Sequence, residues 1–90
     1  MIMKIAMKLA GLPCEIEFLF GIFSNGQRNC TKEDFSHCCL NRLNLRKDVT
    51  EKEMQYFLQV NEHLREKTYI EKDDFVSVFK PAIIKARNEQ

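Results

Sequence analysis

The chain has 90 residues, with 14 basic and 13 acidic side chains, a formal net charge of +1 and a hydrophobic fraction of 44%. This length fits one small domain, and the hydrophobic fraction is sufficient for a globular core. The near-neutral charge argues against a nucleic-acid-binding protein, which would need a clearly basic face. No apolar run approaches the roughly 18 residues of a membrane span.

The first ten residues predict a short amphipathic helix. One face carries apolar residues at helical spacing, Ile2, Ile5, Ala6 and Leu9, while Lys4 and Lys8 lie on the other side. We therefore treat residues 1–12 as an N-terminal helix that either covers apolar surface on the domain or remains a loose tail. Ile2, Ile5 and Leu9 are candidate partner-binding residues, because they have the spacing of helix-in-groove anchors. Membrane binding is the minor interpretation, since the helix has only these two lysines.

A second helix is predicted from about Cys14 to Phe23, with its apolar stripe at Ile16, Leu19, Phe20 and Phe23. Phe18 lies off this stripe, so it either widens the core or forms an exposed contact. We count Phe18 as a further candidate partner-binding residue.

Two helix starts are marked by capping residues. Thr31 with Asp34 is close to a capping box, and it predicts a helix from Lys32 to about Asn44. Thr50 with Glu53 is a full capping box, which predicts a helix reaching about His63.

The last helix is predicted to begin near Lys72, after the β-prone residues Tyr69 and Ile70. Pro81 is expected to kink or restart this helix, because proline cannot donate the interior hydrogen bond. The tail, residues 82–90, is expected to fray.

A six-residue pattern occurs twice, forty residues apart. Residues 30–35 (CTKEDF) return as residues 70–75 (IEKDDF), and each copy follows and precedes an apolar stripe of helical period. Such an echo predicts a repeated unit of helix, polar loop, short extended link and helix. The units cover about residues 14–45 and 50–80, within a domain spanning 13–90.

This arrangement resembles a pair of EF-hands. Cys30 and Ile70 stand where that family forms the small β-bridge between its loops, and Asp34 and Asp74 stand at the last, normally bidentate acid. Phe35 and Phe75 follow at the first core position of the exiting helix. The resemblance implies an all-α fold of two paired units.

The calcium-ligand positions depart from the family, whose loops need oxygen ligands at positions 1, 3 and 5 and a glycine at 6. Counting back from Asp74, the second loop offers His63, Arg65 and Lys67 at those positions. The first loop, counted back from Asp34, begins at a phenylalanine. We expect Asp34, His63, Arg65, Lys67 and Asp74 to be vestigial loop positions, with no metal bound and no cofactor.

Other site chemistries are less favoured. Cys14, Cys30, Cys38 and Cys39, with His37 and His63, lack the paired spacing of structural zinc ligands. His37 and Cys38 are neighbours in sequence and would face different sides of a helix, which argues against a nucleophilic pair. Without a glycine-rich phosphate loop, we do not expect an enzyme. No secretory signal is recognisable, and reduced cysteines in the cytoplasm are the expectation.

The predicted function is therefore calcium-independent protein–protein interaction, with an amphipathic helix as the expected partner. Families of this kind include adaptors of the cytoskeleton or cilium. One alternative is a calcium sensor, in which metal binding opens the paired units. A second is a structural domain of a larger protein.

Overall fold

The computed structural model describes residues 1–89 and is mostly helical, in agreement with the predicted all-α class. The helices are α1 (Ile2–Ala10), α2 (Ile16–Ser24), α3 (Lys32–His37), α4 (Glu51–Val60) and α5 (Lys72–Asn88), and the strands are β1 (Asn29–Thr31) and β2 (Tyr69–Glu71). No helix within this range is both long and apolar enough to cross a bilayer.

Side-chain caps begin two of the helices where the sequence predicts them. The hydroxyl of Thr31 accepts a hydrogen bond from the amide of Asp34 at 3.0 Å. At α4, Thr50 and Glu53 form the complete reciprocal capping box, with both hydrogen bonds at 3.1 Å. Each cap satisfies backbone donors that the first helical turn leaves free, so the predicted starts of α3 and α4 are confirmed.

The helix after the first loop is less regular than predicted. Its α-helical part ends at His37, a π-helical segment covers Cys38–Arg42, and a 3₁₀ turn covers Leu45–Lys47. Three consecutive side chains, Cys38, Cys39 and Leu40, are buried at this point. A regular α-helix turns about 100° per residue and cannot direct three successive side chains into one core, so the wider turn coincides with their burial.

The last helix is continuous through Pro81 to Asn88, so the prediction that Pro81 restarts it is wrong, while the predicted kink stays a prediction. Because proline has no N–H, the carbonyl of Ser77, four residues earlier, has no helical donor. Ser77 and Pro81 are both exposed, so water can donate to this carbonyl. The residues beyond Pro81 are also fixed by tertiary contacts. Ile83 is fully buried, and the guanidinium of Arg87 donates to the carbonyls of Leu12 at 3.1 Å and Cys14 at 2.6 Å. The expected fraying of residues 82–90 is therefore wrong for the described part of that segment.

The two echoed hexapeptides meet in the antiparallel ribbon. Cys30 pairs with Ile70, Asn29 with Glu71, and Thr31 with Tyr69. Both central residues, Cys30 and Ile70, are buried beneath the ribbon. The ribbon therefore joins the two halves of the chain at the point where α3 and α5 begin.

A cluster of phenylalanine rings fills the space beneath the ribbon. Phe35 and Phe75 are fully buried and are linked through Phe23, whose ring centroid lies 4.5 Å from that of Phe35 and 5.4 Å from that of Phe75. Phe79 makes a second link, at 5.8 Å from Phe35 and 5.3 Å from Phe75. These offset and tilted contacts are the favoured aromatic geometries, and they connect helices from both halves of the chain.

The N-terminal helix is part of the same core. α1 packs chiefly on α5, and Ile5, Ala6 and Leu9 have no exposed surface. Of the two arrangements considered for residues 1–12, the structure has the covering one.

Candidate functional site

The loop between α4 and β2 is closed by its own side chains. Asn61 ends α4, and its side-chain oxygen accepts hydrogen bonds from the amides of His63 at 3.0 Å and Leu64 at 3.1 Å. The Leu64 side chain is fully buried in the core. An asparagine turn at one end and an apolar anchor in the middle therefore fix the course of this loop.

The carboxylate of Asp74, in the first turn of α5, is the group that the loop side chains contact. Its residue is only 4% exposed, and three donors converge on it. The Glu71 amide donates to Oδ2 at 2.9 Å, and the His63 Nε2–H donates to Oδ1 at 2.9 Å, while the Lys67 ammonium lies 3.5 Å from Oδ1. Of the three residues at the vestigial loop positions 63, 65 and 67, His63 and Lys67 therefore contact the Asp74 carboxylate.

These contacts keep Asp74 ionised. Burial by itself raises the pKa of this carboxyl, but the hydrogen bonds from Glu71 and His63 and the charge of Lys67 outweigh it, so the pKa lies below its ordinary value. A buried carboxylate with this set of donors has its charge compensated within the chain.

The other residues at the predicted loop positions are arranged differently. Arg65 is exposed, and its carbonyl accepts a hydrogen bond from the ammonium of Lys32 at 3.0 Å, which ties the second loop to α3. Asp34, the counterpart of Asp74 in the hexapeptide echo, is exposed. The two acids therefore occupy equivalent places in sequence and unlike environments in the structure.

No group of three or more histidine, cysteine, aspartate or glutamate side chains within residues 1–89 is placed to hold a metal ion. All four cysteines are free thiols, and only Cys14 is exposed. Burial raises the pKa of Cys30 to about 12 and also raises that of Cys39, so both thiols stay protonated.

His37 and Cys38 face different partners. Nδ1 of His37 lies 3.1 Å from the side-chain nitrogen of Asn41, whereas Sγ of Cys38 donates to the carbonyl of Ile22 at 3.5 Å. Burial raises the pKa of Cys38, and the nearby Arg42 charge offsets this only in part. This geometry does not form a thiolate–imidazole pair.

The predicted partner-binding residues divide into two groups. Phe18 is 68% exposed and available for contact, and Ile2 is half-buried. Ile5 and Leu9 are fully buried against the domain, so a partner could reach them only by displacing α1, and their assignment as partner-binding residues stays a prediction. Their apolar periodicity indicated burial but could not distinguish a partner's groove from the chain's own α5.

The sequence analysis did not predict a groove that lies between α1 and α4. It has a volume of about 580 Å³ and is lined by Met1, Lys4, Lys52, Glu53, Tyr56, Phe57 and Val60. Tyr56 is 66% exposed and Val60 48%. Their spacing of four residues places them on one helical face, and this pattern in the sequence was the available signal.

Comparison with protein-family models, curated proteins and solved structures finds no match to this chain.

Proposed function

We propose that this chain is a calcium-independent protein-interaction module built from two degenerate EF-hand-like units. The antiparallel pairing of Cys30 with Ile70 supports the proposal, because it joins two helix–loop–strand–helix segments at equivalent positions. The shared phenylalanine cluster supports it as well, since neither segment buries its apolar face alone.

The observation that carries calcium independence is the contact of Asp74 with His63 and Lys67. A divalent cation entering this loop would have to displace an ammonium group and a hydrogen-bonded imidazole from the buried carboxylate. It would then face the Lys67 ammonium, which repels a cation, and the His63 imidazole in place of oxygen ligands. The calcium-sensor alternative requires oxygen ligands at these loop positions and an Asp74 carboxylate that is free to bind the metal.

Exposed apolar side chains support the interaction role. Tyr56 and Val60 on α4 are large and substantially exposed, and both line the α1–α4 groove. Clustered apolar surface beside a concave site is typical of protein-binding surfaces, whereas single exposed apolar residues are common on any protein.

The experiment is a calorimetric titration with calcium, performed on the natural chain and on a His63→Asp, Lys67→Asp double variant. We expect no binding tighter than about 1 mM in the natural chain, the weak limit of calcium modules. The double variant should bind calcium more tightly, because two carboxylates replace the imidazole and the ammonium beside Asp74. Binding to the natural chain tighter than this limit would refute calcium independence. A double variant with no gain in affinity would contradict the role assigned to His63 and Lys67.

A further inference from the structure

We propose that the α1–α4 groove is the docking surface for an amphipathic helix that carries carboxylates beside its apolar residues. This inference rests on the proposed interaction function and specifies its surface and its partner's chemistry.

The floor and walls of the groove are apolar. Phe57 is nearly buried and forms the floor, while Tyr56 and Val60 project one helical turn apart from α4. Met1, which immediately precedes α1, also lines the groove. Apolar side chains spaced by one turn, within a channel between two helices, match the ridges of a third helix packed into it.

The charge at the rim of the groove is basic. Lys4 and Lys52 line it, and the Lys4 ammonium donates to the carbonyl of Asp48 at 3.4 Å, while within residues 1–89 neither lysine forms an ion pair. The single acid, Glu53, uses its carboxylate to accept the Thr50 amide at 3.1 Å in the capping box. Two cations against one engaged carboxylate leave the rim with a positive balance, which complements acidic side chains on a partner.

Phe18 is an exposed aromatic residue that lies outside the groove. Phe18 is as exposed as Tyr56, but it is not among the residues that line the groove. Phe18→Glu therefore serves as a matched control for Tyr56→Glu, because both introduce the same charge at an exposed aromatic position of a helix.

The test uses two synthetic amphipathic helical peptides with the same leucine stripe, one flanked by glutamates and the other by lysines. Their binding to the natural chain, to Tyr56→Glu, to Phe18→Glu and to a Lys4→Glu, Lys52→Glu variant is measured by fluorescence anisotropy. Both charge reversals lie in the first turn of a helix, where an acid is favourable, so folding should be retained and is checked by circular dichroism.

We expect the acidic peptide to bind more tightly than the basic peptide, and Tyr56→Glu to weaken it about tenfold or more, as for a central interface residue. Phe18→Glu should leave its affinity within about twofold of the natural value, and the double lysine variant should prefer the basic peptide.

Equal losses in Tyr56→Glu and Phe18→Glu, or a charge preference that the lysine variant does not change, would overturn the groove assignment. In that case peptide binding itself would still support an interaction module, with its surface elsewhere. Binding of neither peptide would overturn the groove inference, while calcium independence is decided separately by calorimetry.

Discussion

Replacing Asp74 with alanine tests the contacts between the first turn of α5 and the second loop. The change removes the acceptor for the Glu71 amide at the start of α5, a capping loss that costs about 1 kcal/mol. It also removes the contacts with His63 and Lys67, whose side chains are 45% and 47% exposed. Because both side chains are about half exposed to solvent, we assign these contacts only about 1 kcal/mol together.

The expected free energy of unfolding is therefore lower by about 2 kcal/mol, which corresponds to a fall in Tm of about 8–16 °C for a domain of this size. Asp34→Ala is the matched control, because Asp34 occupies the same place in the hexapeptide echo but is exposed. Its effect should stay within about 0.5 kcal/mol. Urea denaturation followed by circular dichroism measures both variants. Equal effects of the two substitutions would refute the role assigned to the Asp74 contacts.

The same carboxylate predicts a pH dependence. Although burial raises its pKa, the Glu71 and His63 hydrogen bonds and the Lys67 charge lower the net value below the ordinary 3.8. The stabilisation by Asp74 is therefore complete above this ordinary value and is lost as pH falls through the lower folded-state value. The difference in stability between the natural chain and Asp74→Ala should be fully present at about pH 5 and should shrink below about pH 4. A difference that grows on acidification would contradict this assignment.

Three further predictions concern the framework. Thr50→Ala and Thr31→Ala should each cost about 1 kcal/mol in urea denaturation, and neutral effects at both sites would contradict the caps at α4 and α3. Phe35→Ala and Phe75→Ala should each cost about 3–5 kcal/mol, so that the double variant is unfolded by circular dichroism, whereas a folded double variant would contradict the shared aromatic core. Deleting residues 1–10 should lower Tm and produce binding of a hydrophobic dye, because about 1.5–3 kcal/mol is lost for each large buried side chain of α1 and apolar surface is uncovered. An unchanged Tm without dye binding would contradict the packing of α1 on α5.

The sequence predicted the local elements best where one interaction determines the structure. The capping box at Thr50 involves two residues three positions apart, so it is recognisable without any tertiary contact. The hexapeptide echo predicted equivalent positions for Cys30 and Ile70, and the ribbon pairs these residues. Local chemistry and internal repetition were sufficient for these features.

Other features depend on distant partners and could not be read from local patterns. The helix through Pro81 is fixed beyond the proline by buried Ile83 and by Arg87, which bonds carbonyls more than 70 residues away in sequence. The burial of Ile5 and Leu9 depends on where α5 passes. Periodicity identifies an apolar face but does not identify what covers it.

The loop residues show the same limit. From the sequence we expected His63 and Lys67 to be vestigial loop positions, but we did not predict that both would face Asp74. The anchor Leu64 lies alone in a charged segment, where no periodic pattern indicates burial. Only the fold brings these residues together.

The central claim is a protein-interaction module that acts without calcium. The most direct measurement is the affinity of the natural chain for the acidic amphipathic peptide, determined once with millimolar calcium and once with a calcium chelator. Because His63 and Lys67 already face the Asp74 carboxylate, we predict the same dissociation constant in both conditions. Binding that appears only with calcium, or that strengthens about tenfold or more when calcium is added, would contradict the claim and favour a calcium sensor.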